Sequence, residues 1–184
     1  ERMDGKDLRP DFGNRISAEI RLPQALQAGL LTPFQYLCIS DDTDLSDDSL
    51  WSGQKYNIER LADKLCAKTR ARLIVDALHK YLADEYTCRA LCFCVNKRHA
   101  DFMAEQLRLY GFNAQSLTSD TPADERKQLA KDLREGTLHY LCVVDIFNEG
   151  VDIPEVDTVL FLRPTESLTI FLQQLGRGLR LSAG

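Results

Sequence analysis

Near the end of the chain, residues 171–180 read FLQQLGRGLR, and three of their polar side chains fall on one side of a helix. At about 100° per residue, Gln173, Arg177 and Arg180 share one face, while Leu168, Phe171, Leu172, Leu175 and Leu179 form an apolar stripe opposite. Arg177 and Arg180 are one turn apart, the spacing that lets two guanidinium groups meet one phosphate. Gly176 and Gly178 each cost a helix about 1 kcal/mol relative to alanine, so the segment either ends there or is approached closely by another surface. Taken alone, it is also what a solvated arginine pair on a helix end looks like.

A second concentration of unusual residues lies upstream, in VVDIFNEGVDIPEVDTVLFL, 143–162. Gly150 is expected in a loop between strands, where a backbone without a side chain can come close to a ligand. Asp152, two residues on, can accept from a hydroxyl, and Asp145 ends the apolar run LCVVD, as a magnesium-holding aspartate or as ordinary turn chemistry. No G-x-x-x-x-G-K-[ST] phosphate cradle is present, since DGKD lacks both the upstream glycine and the hydroxyl residue. The three histidines form no triad. His79 and His139 are expected in surface or packing roles, whereas His99 follows the strand ALCFCV closely enough to sit on its ligand-facing rim.

The elements that must position these residues follow a steady alternation. CRALCFCV (88–95) is expected as a buried strand, followed by a helix capped by Asn96 and closed by Gly111. FNAQSL is the next strand; TPADERKQLAKDLREG is a helix with Thr121 as cap, Pro122, Asp124 and Glu125 in its first turn and Gly136 as its stop. LHYLCVV, VDTVLFL and a closing helix capped by Ser167 complete the series. Strands separated by helices imply a parallel sheet with right-handed crossovers, and such sheets bind ligands at the carboxyl ends of their strands. The first half is less regular: RISAEIRL and FQYLCIS are expected as strands, PQALQAGLL as a short helix, and two helices fall between Asn57 and Tyr86, the second apolar at Leu73, Ile74, Ala77, Leu78, Tyr81 and Leu82.

Composition narrows the function classes. Of 184 residues, 44 % are apolar and none form a run of 18, so a membrane span is not expected. A net charge of −5 argues against a generally basic, nucleic-acid-coating surface and leaves room for a local basic groove. The cysteines Cys38, Cys66, Cys88, Cys92, Cys94 and Cys142 contain no C-x-x-C pair, so no metal site is expected and the thiols read as reduced, in a cytoplasmic setting. The acidic run DDTDLSDD fails the calcium-loop pattern, because Asp47 and Gly53 stand where glycine and glutamate are needed, and reads as an exposed loop.

Taken together, the motifs carry a resemblance. QQLGRGLR resembles motif VI of superfamily 2 helicases, Q-x-x-G-R-x-x-R, at Gln173, Gly176, Arg177 and Arg180, and VDIFNEGVDIP resembles motif V at Asp145, Gly150, Asp152 and Pro154. ALCFCVNKRHADFMAEQL is similar to motif IV, and ERMDG to the segment that follows motif III. The nearest group is the DEAD/DEAH-type DNA helicases related to type III restriction subunits and UvrB. The resemblance implies an α/β, RecA-like (P-loop NTPase-like) three-layer domain with a mainly parallel sheet and an N-terminal connector with helices. It divides the chain into the tail of a first RecA-like domain (1–15), a connector with the start of the second (16–87) and the second domain's core (88–184).

The same resemblance implies roles. Arg177 and Arg180 would be arginine fingers to the γ-phosphate of ATP, with Gln173 helping to position the nucleotide or coupling it to motif V; Gly150, Asp152 and Gly176 would lie on the nucleotide. Asn96, Lys97, His99, Thr118 and Asp145 would face the nucleic-acid backbone. ATP and Mg2+ would be held mainly by a first RecA-like domain, which with DNA would be the partner, so this chain alone should be inactive. Val144 takes the place of the family's threonine, whose hydroxyl touches nucleic acid. An RNA helicase module and a non-catalytic nucleic-acid- or protein-binding domain are the alternative readings.

Overall fold

A computed structural model describes residues 13, 24, 27–30, 33–53, 55–144 and 156–164. The chain divides into two compact units, Glu1–Tyr36 with Thr165–Gly184, and Leu37–Pro164. All the elements below belong to the second. It opens with a short hairpin, β1 (Trp51–Ser52) and β2 (Lys55–Tyr56), then helices α1 (Ile58–Leu65) and α2 (Lys68–Tyr81). The alternating part follows: β3 (Ala90–Phe93), α3 (Lys97–Leu109), β4 (Ala114–Leu117), α4 (Ala123–Glu135), β5 (Tyr140–Val143) and β6 (Thr158–Phe161).

The four longer strands form one sheet in the order β4-β5-β3-β6, every neighbouring pair parallel. Cys92 of β3 lies in register between Cys142 of β5 and Leu160 of β6. Both faces of this sheet are covered, which is why β3 and β5 read as unbroken apolar runs instead of alternating ones. On one face Ala90, Cys92, Tyr140 and Cys142 meet Ala71, Ile74, Val75 and Leu78 of α2 and Ala100, Met103, Ala104 and Leu107 of α3. On the other, Leu91, Phe93, Leu141 and Val143 meet Leu129 and Leu133 of α4, and Phe161 stacks on Phe93. This is the three-layer architecture expected of the sequence.

Local chemistry explains most boundaries. Asn96 caps α3, its side chain accepting from the His99 N–H at 2.9 Å. Gly136 closes α4 at φ 73°, a left-handed conformation that any other L-residue adopts at a cost of about 1–2 kcal/mol. Helix α4 differs from expectation at its start. Pro122, not Thr121, occupies the cap position and makes no side-chain cap bond, because the Thr121 hydroxyl accepts instead from the N–H of Thr118 at 3.0 Å. The buried stripe of α2 is also rotated, running through Ala71, Ile74, Val75 and Leu78, so that Tyr81 stays 45 % exposed.

FQYLCIS (34–40) forms no strand, and Phe34, Tyr36, Leu37 and Ile39 are exposed. Alternation supplies an apolar edge, but a strand also needs a neighbour to satisfy its backbone. DDTDLSDD is a loop of local turns, in which Asp41, Asp44 and Asp47 accept from backbone N–H groups two residues on. Of PQALQAGLL, Gln24 and Gln27 are helical; RISAEIRL and the closing helix with Ser167 lie outside the described residues. Among the described residues, no helix is long and apolar enough to cross a membrane.

Candidate functional site

Because the four strands of this sheet among the described residues run the same way, their carboxyl ends share one edge, where the loops leaving β3 and β4 form a rim. Asn96 and Lys97 leave β3, Thr118 leaves β4, and Val144 follows β5. The expected residues Asp145, Gly150, Asp152, Gln173, Gly176, Arg177 and Arg180 lie outside the described residues.

The β3 side of the rim is built around the start of α3. Besides capping that helix, Asn96 donates from Nδ2 to Glu59 Oε1 of α1 at 3.2 Å. Arg98, next but one, donates to Asp63 Oδ1 at 2.6 Å and to the Glu59 carbonyl at 3.4 Å, so α1 is held against the N-terminus of α3 by three hydrogen bonds. Lys97 opens α3, and its ammonium lies 2.6 Å from Asp120 Oδ1, joining the loops after β3 and β4. With 48 % of its side chain exposed, Lys97 remains reachable from solvent, and the pair is shallow enough for another anion to compete for the ammonium.

Thr118 is used differently. Its N–H donates to Thr121 Oγ1 and its carbonyl accepts from the Thr121 N–H, while its hydroxyl accepts from the Asp120 N–H at 3.4 Å. Arg126 clamps the same loop by donating to the carbonyls of Thr121 at 2.6 Å and Ser119 at 2.7 Å. At 8 % exposure Thr118 shapes the turn that presents Asp120.

His99 does not reach the rim surface at all. It is 0 % exposed, so its ring cannot touch a strand lying on this edge, which corrects the expected contact role. Its Nδ1 accepts from the Val95 N–H at 3.3 Å, which places the ring proton on Nε2. Burial, reinforced by the charges of Arg70 and Arg98, lowers its pKa to about 3, so the ring is neutral near pH 7. Its function is positional: it locks the β3-to-α3 junction that carries Asn96 and Lys97.

Asp120, Glu59 and Arg126 were absent from the sequence reading. Each acts through a partner 5 to 37 residues away in sequence, and no local spacing signals such a pairing. Among the described residues, no three His, Cys, Asp or Glu side chains are grouped to hold a metal ion. The six cysteines are all free, with Cys88, Cys92, Cys94 and Cys142 buried in the sheet, where burial pushes the Cys88 thiol up to about 11.

Comparison with known proteins adds to this geometry. Residues 73–182 match the family described as helicase conserved C-terminal domain. The chain is 30 % identical over 148 residues to the IRC3 helicase of Saccharomyces cerevisiae, covering 80 % of this chain and 21 % of that protein. It is 28 % identical over 156 residues to the type I restriction enzyme EcoKI endonuclease subunit of Escherichia coli, covering 78 % and 13 % respectively. Among solved structures, the E. coli DEAD-box protein SrmB, bound to regulator of ribonuclease activity A, aligns with a TM-score of 0.52 at 27 % identity, over 64 % of this chain and 66 % of that one. The C-terminal domain of the DEAD-box protein Dbp5 shares the fold at 21 % identity and a TM-score of 0.52, over 62 % and 65 %. The chain thus spans about a fifth or less of the two curated relatives named.

Proposed function

Since the chain belongs to the family of helicase conserved C-terminal domains, we propose that it is the second RecA-like half of an ATP-dependent DNA helicase or translocase. In this reading the first half, of which residues 1–15 are the tail, holds ATP and Mg2+, and 16–87 form the connector and the start of the second half. Arg177 and Arg180 reach the γ-phosphate from this side. As the terminal phosphoryl group transfers, negative charge spreads over its oxygens, and a fixed guanidinium stabilises that charge by about 10³- to 10⁵-fold in rate. Gln173 positions the nucleotide or couples it to the loop of Gly150 and Asp152, which lies on the nucleotide with Gly176. Neither half hydrolyses ATP alone, because cradle and fingers sit on different domains.

The observation that carries the reading is the family match over 73–182, which spans both motif-like segments and the strands whose carboxyl ends form the rim. Asn96, Lys97 and the loop that Thr118 shapes, with Asp145, then line the nucleic-acid track, where contacts to phosphates give grip without sequence reading. DNA is favoured over RNA by the similarity to a restriction endonuclease subunit. In the protein with both halves present, Arg177→Ala should abolish nucleic-acid-stimulated ATP hydrolysis and leave ATP binding largely intact. Normal hydrolysis by that variant would refute the finger assignment, and stimulation by RNA but not by DNA would move the substrate to the alternative.

A further inference from the structure

Beside the rim stands an aromatic pair that no motif accounts for. Trp51 and Tyr56 face each other across the β1–β2 hairpin, in register, with ring centroids 4.1 Å apart and planes inclined by 29°. Trp51 is 40 % exposed although it is the chain's one tryptophan, a residue that ordinarily buries most of its area. The hairpin beneath it is firmly held. Leu50 is buried, the Asn57 N–H donates to the Leu50 carbonyl at 2.6 Å, and Arg60 donates to the Ser49 carbonyl at 2.7 Å. Gly53 makes the turn at φ 67°.

The position links the hairpin to the rim. Tyr56 packs against the cluster of Leu61, Ala62, Leu65 and Val95, and Val95 immediately precedes Asn96 and Lys97. The same block is tied to the rim again through the Asn96–Glu59 and Arg98–Asp63 bonds. The hairpin neighbours of Trp51, Ser52, Gly53 and Lys55, are exposed and carry no large apolar group, and Ile58 at the start of α1 is the exposed apolar side chain that follows the hairpin. Of the acids close to Trp51 in sequence, Asp47 accepts from the Ser49 N–H and lies 3.9 Å from Lys64, Glu59 accepts from Asn96, and Asp48 is exposed.

We propose that Trp51, backed by Tyr56, is a stacking platform for an unpaired base of a nucleic-acid strand whose phosphates pass Lys97. The inference rests on the nucleic-acid reading of the rim and extends it from phosphate grip to base contact. Stacking needs only a π-face, so the platform holds any base, and it holds single strands in preference to duplex, whose bases are already stacked.

The test uses the 184-residue chain and a fluorescein-labelled oligothymidine, with anisotropy reporting binding and the single tryptophan reporting contact. Tryptophan emission should be quenched with the same midpoint as the anisotropy change. Trp51→Leu should weaken binding by about 5- to 150-fold while Trp51→Phe keeps most of it, and the salt dependence should be unchanged in both. An oligonucleotide whose bases are replaced by abasic sites should bind wild type and Trp51→Leu alike. Saturating anisotropy with no quenching, or equal affinity in Trp51→Leu, would overturn the platform while leaving the nucleic-acid reading standing, and would make the hairpin a protein-docking element. No anisotropy change with either DNA or RNA would overturn the nucleic-acid reading itself.

Discussion

Lowering the pH from 7 to 5 should destabilise this domain by about 2 kcal/mol through His99 alone. Buried at the junction of β3 and α3, His99 has a folded-state pKa of about 3, against about 6.5 for an unfolded histidine. The folded value is depressed, so the unfolded chain binds the extra proton. The stability contributed by the neutral ring is complete above pH 6.5 and is lost as pH falls toward 3. Within that window the slope approaches 1.4 kcal/mol per pH unit, and between pH 7 and 5 the linkage integrates to about 2 kcal/mol. The carboxylates held low by hydrogen bonds, Asp41 and Glu85 among them, lose their own contributions mainly below about pH 5 and add little within this interval. Urea unfolding at the two pH values, with His99→Gln as control, measures the effect: wild type should lose the stated amount, and the variant, weaker at pH 7, should be nearly flat. If the His99 ring titrates near 6.5 in the folded protein by NMR, or if His99→Gln keeps the full pH dependence, the burial argument fails.

Two other outcomes follow from the rim. Lys97→Ala should reduce the steepness of log affinity against log salt for nucleic acid by about 0.7–0.9, the share of one phosphate contact, whereas Asp120→Asn should release the Lys97 ammonium and raise affinity by up to about fivefold in anisotropy titrations. Asn96→Ala should lower stability by about 1–2 kcal/mol in urea by removing the α3 cap, and Asn96→Ser, which still accepts from the backbone N–H groups of the first turn and sets no second carboxylate against Glu59, should retain most of it. Equal losses in the two Asn96 variants would show that the cap is not what the residue contributes.

The alternation of strands and helices from residue 88 to 162 was legible because each element carries its own signal. Cys88–Val95 is a short run too apolar for anything but a strand covered on both faces, Asn96 and Gly136 are residues whose chemistry stops or starts a helix locally, and the order of elements forces parallel pairing. Thr121 misled because its hydroxyl accepts from the Thr118 N–H of the preceding loop and is therefore not used at the helix end. FQYLCIS misled because alternation is necessary for a strand and does not supply the neighbour it must pair with.

By itself, then, the sequence determined the layered α/β scaffold, the shared edge where its strands end, and Asn96 and Lys97 as residues of that edge, since these depend on periodicity and on groups within a few residues of one another. Tertiary structure decided which of those side chains face outward. It buried His99 completely, turned Thr118 into a loop clasp, paired Lys97 with Asp120 and set Trp51 on Tyr56 beside Val95. Burial and pairing across tens of residues depend on how α1, α3 and the sheet come together. That arrangement is a property of packing, and no spacing along the chain encodes it locally.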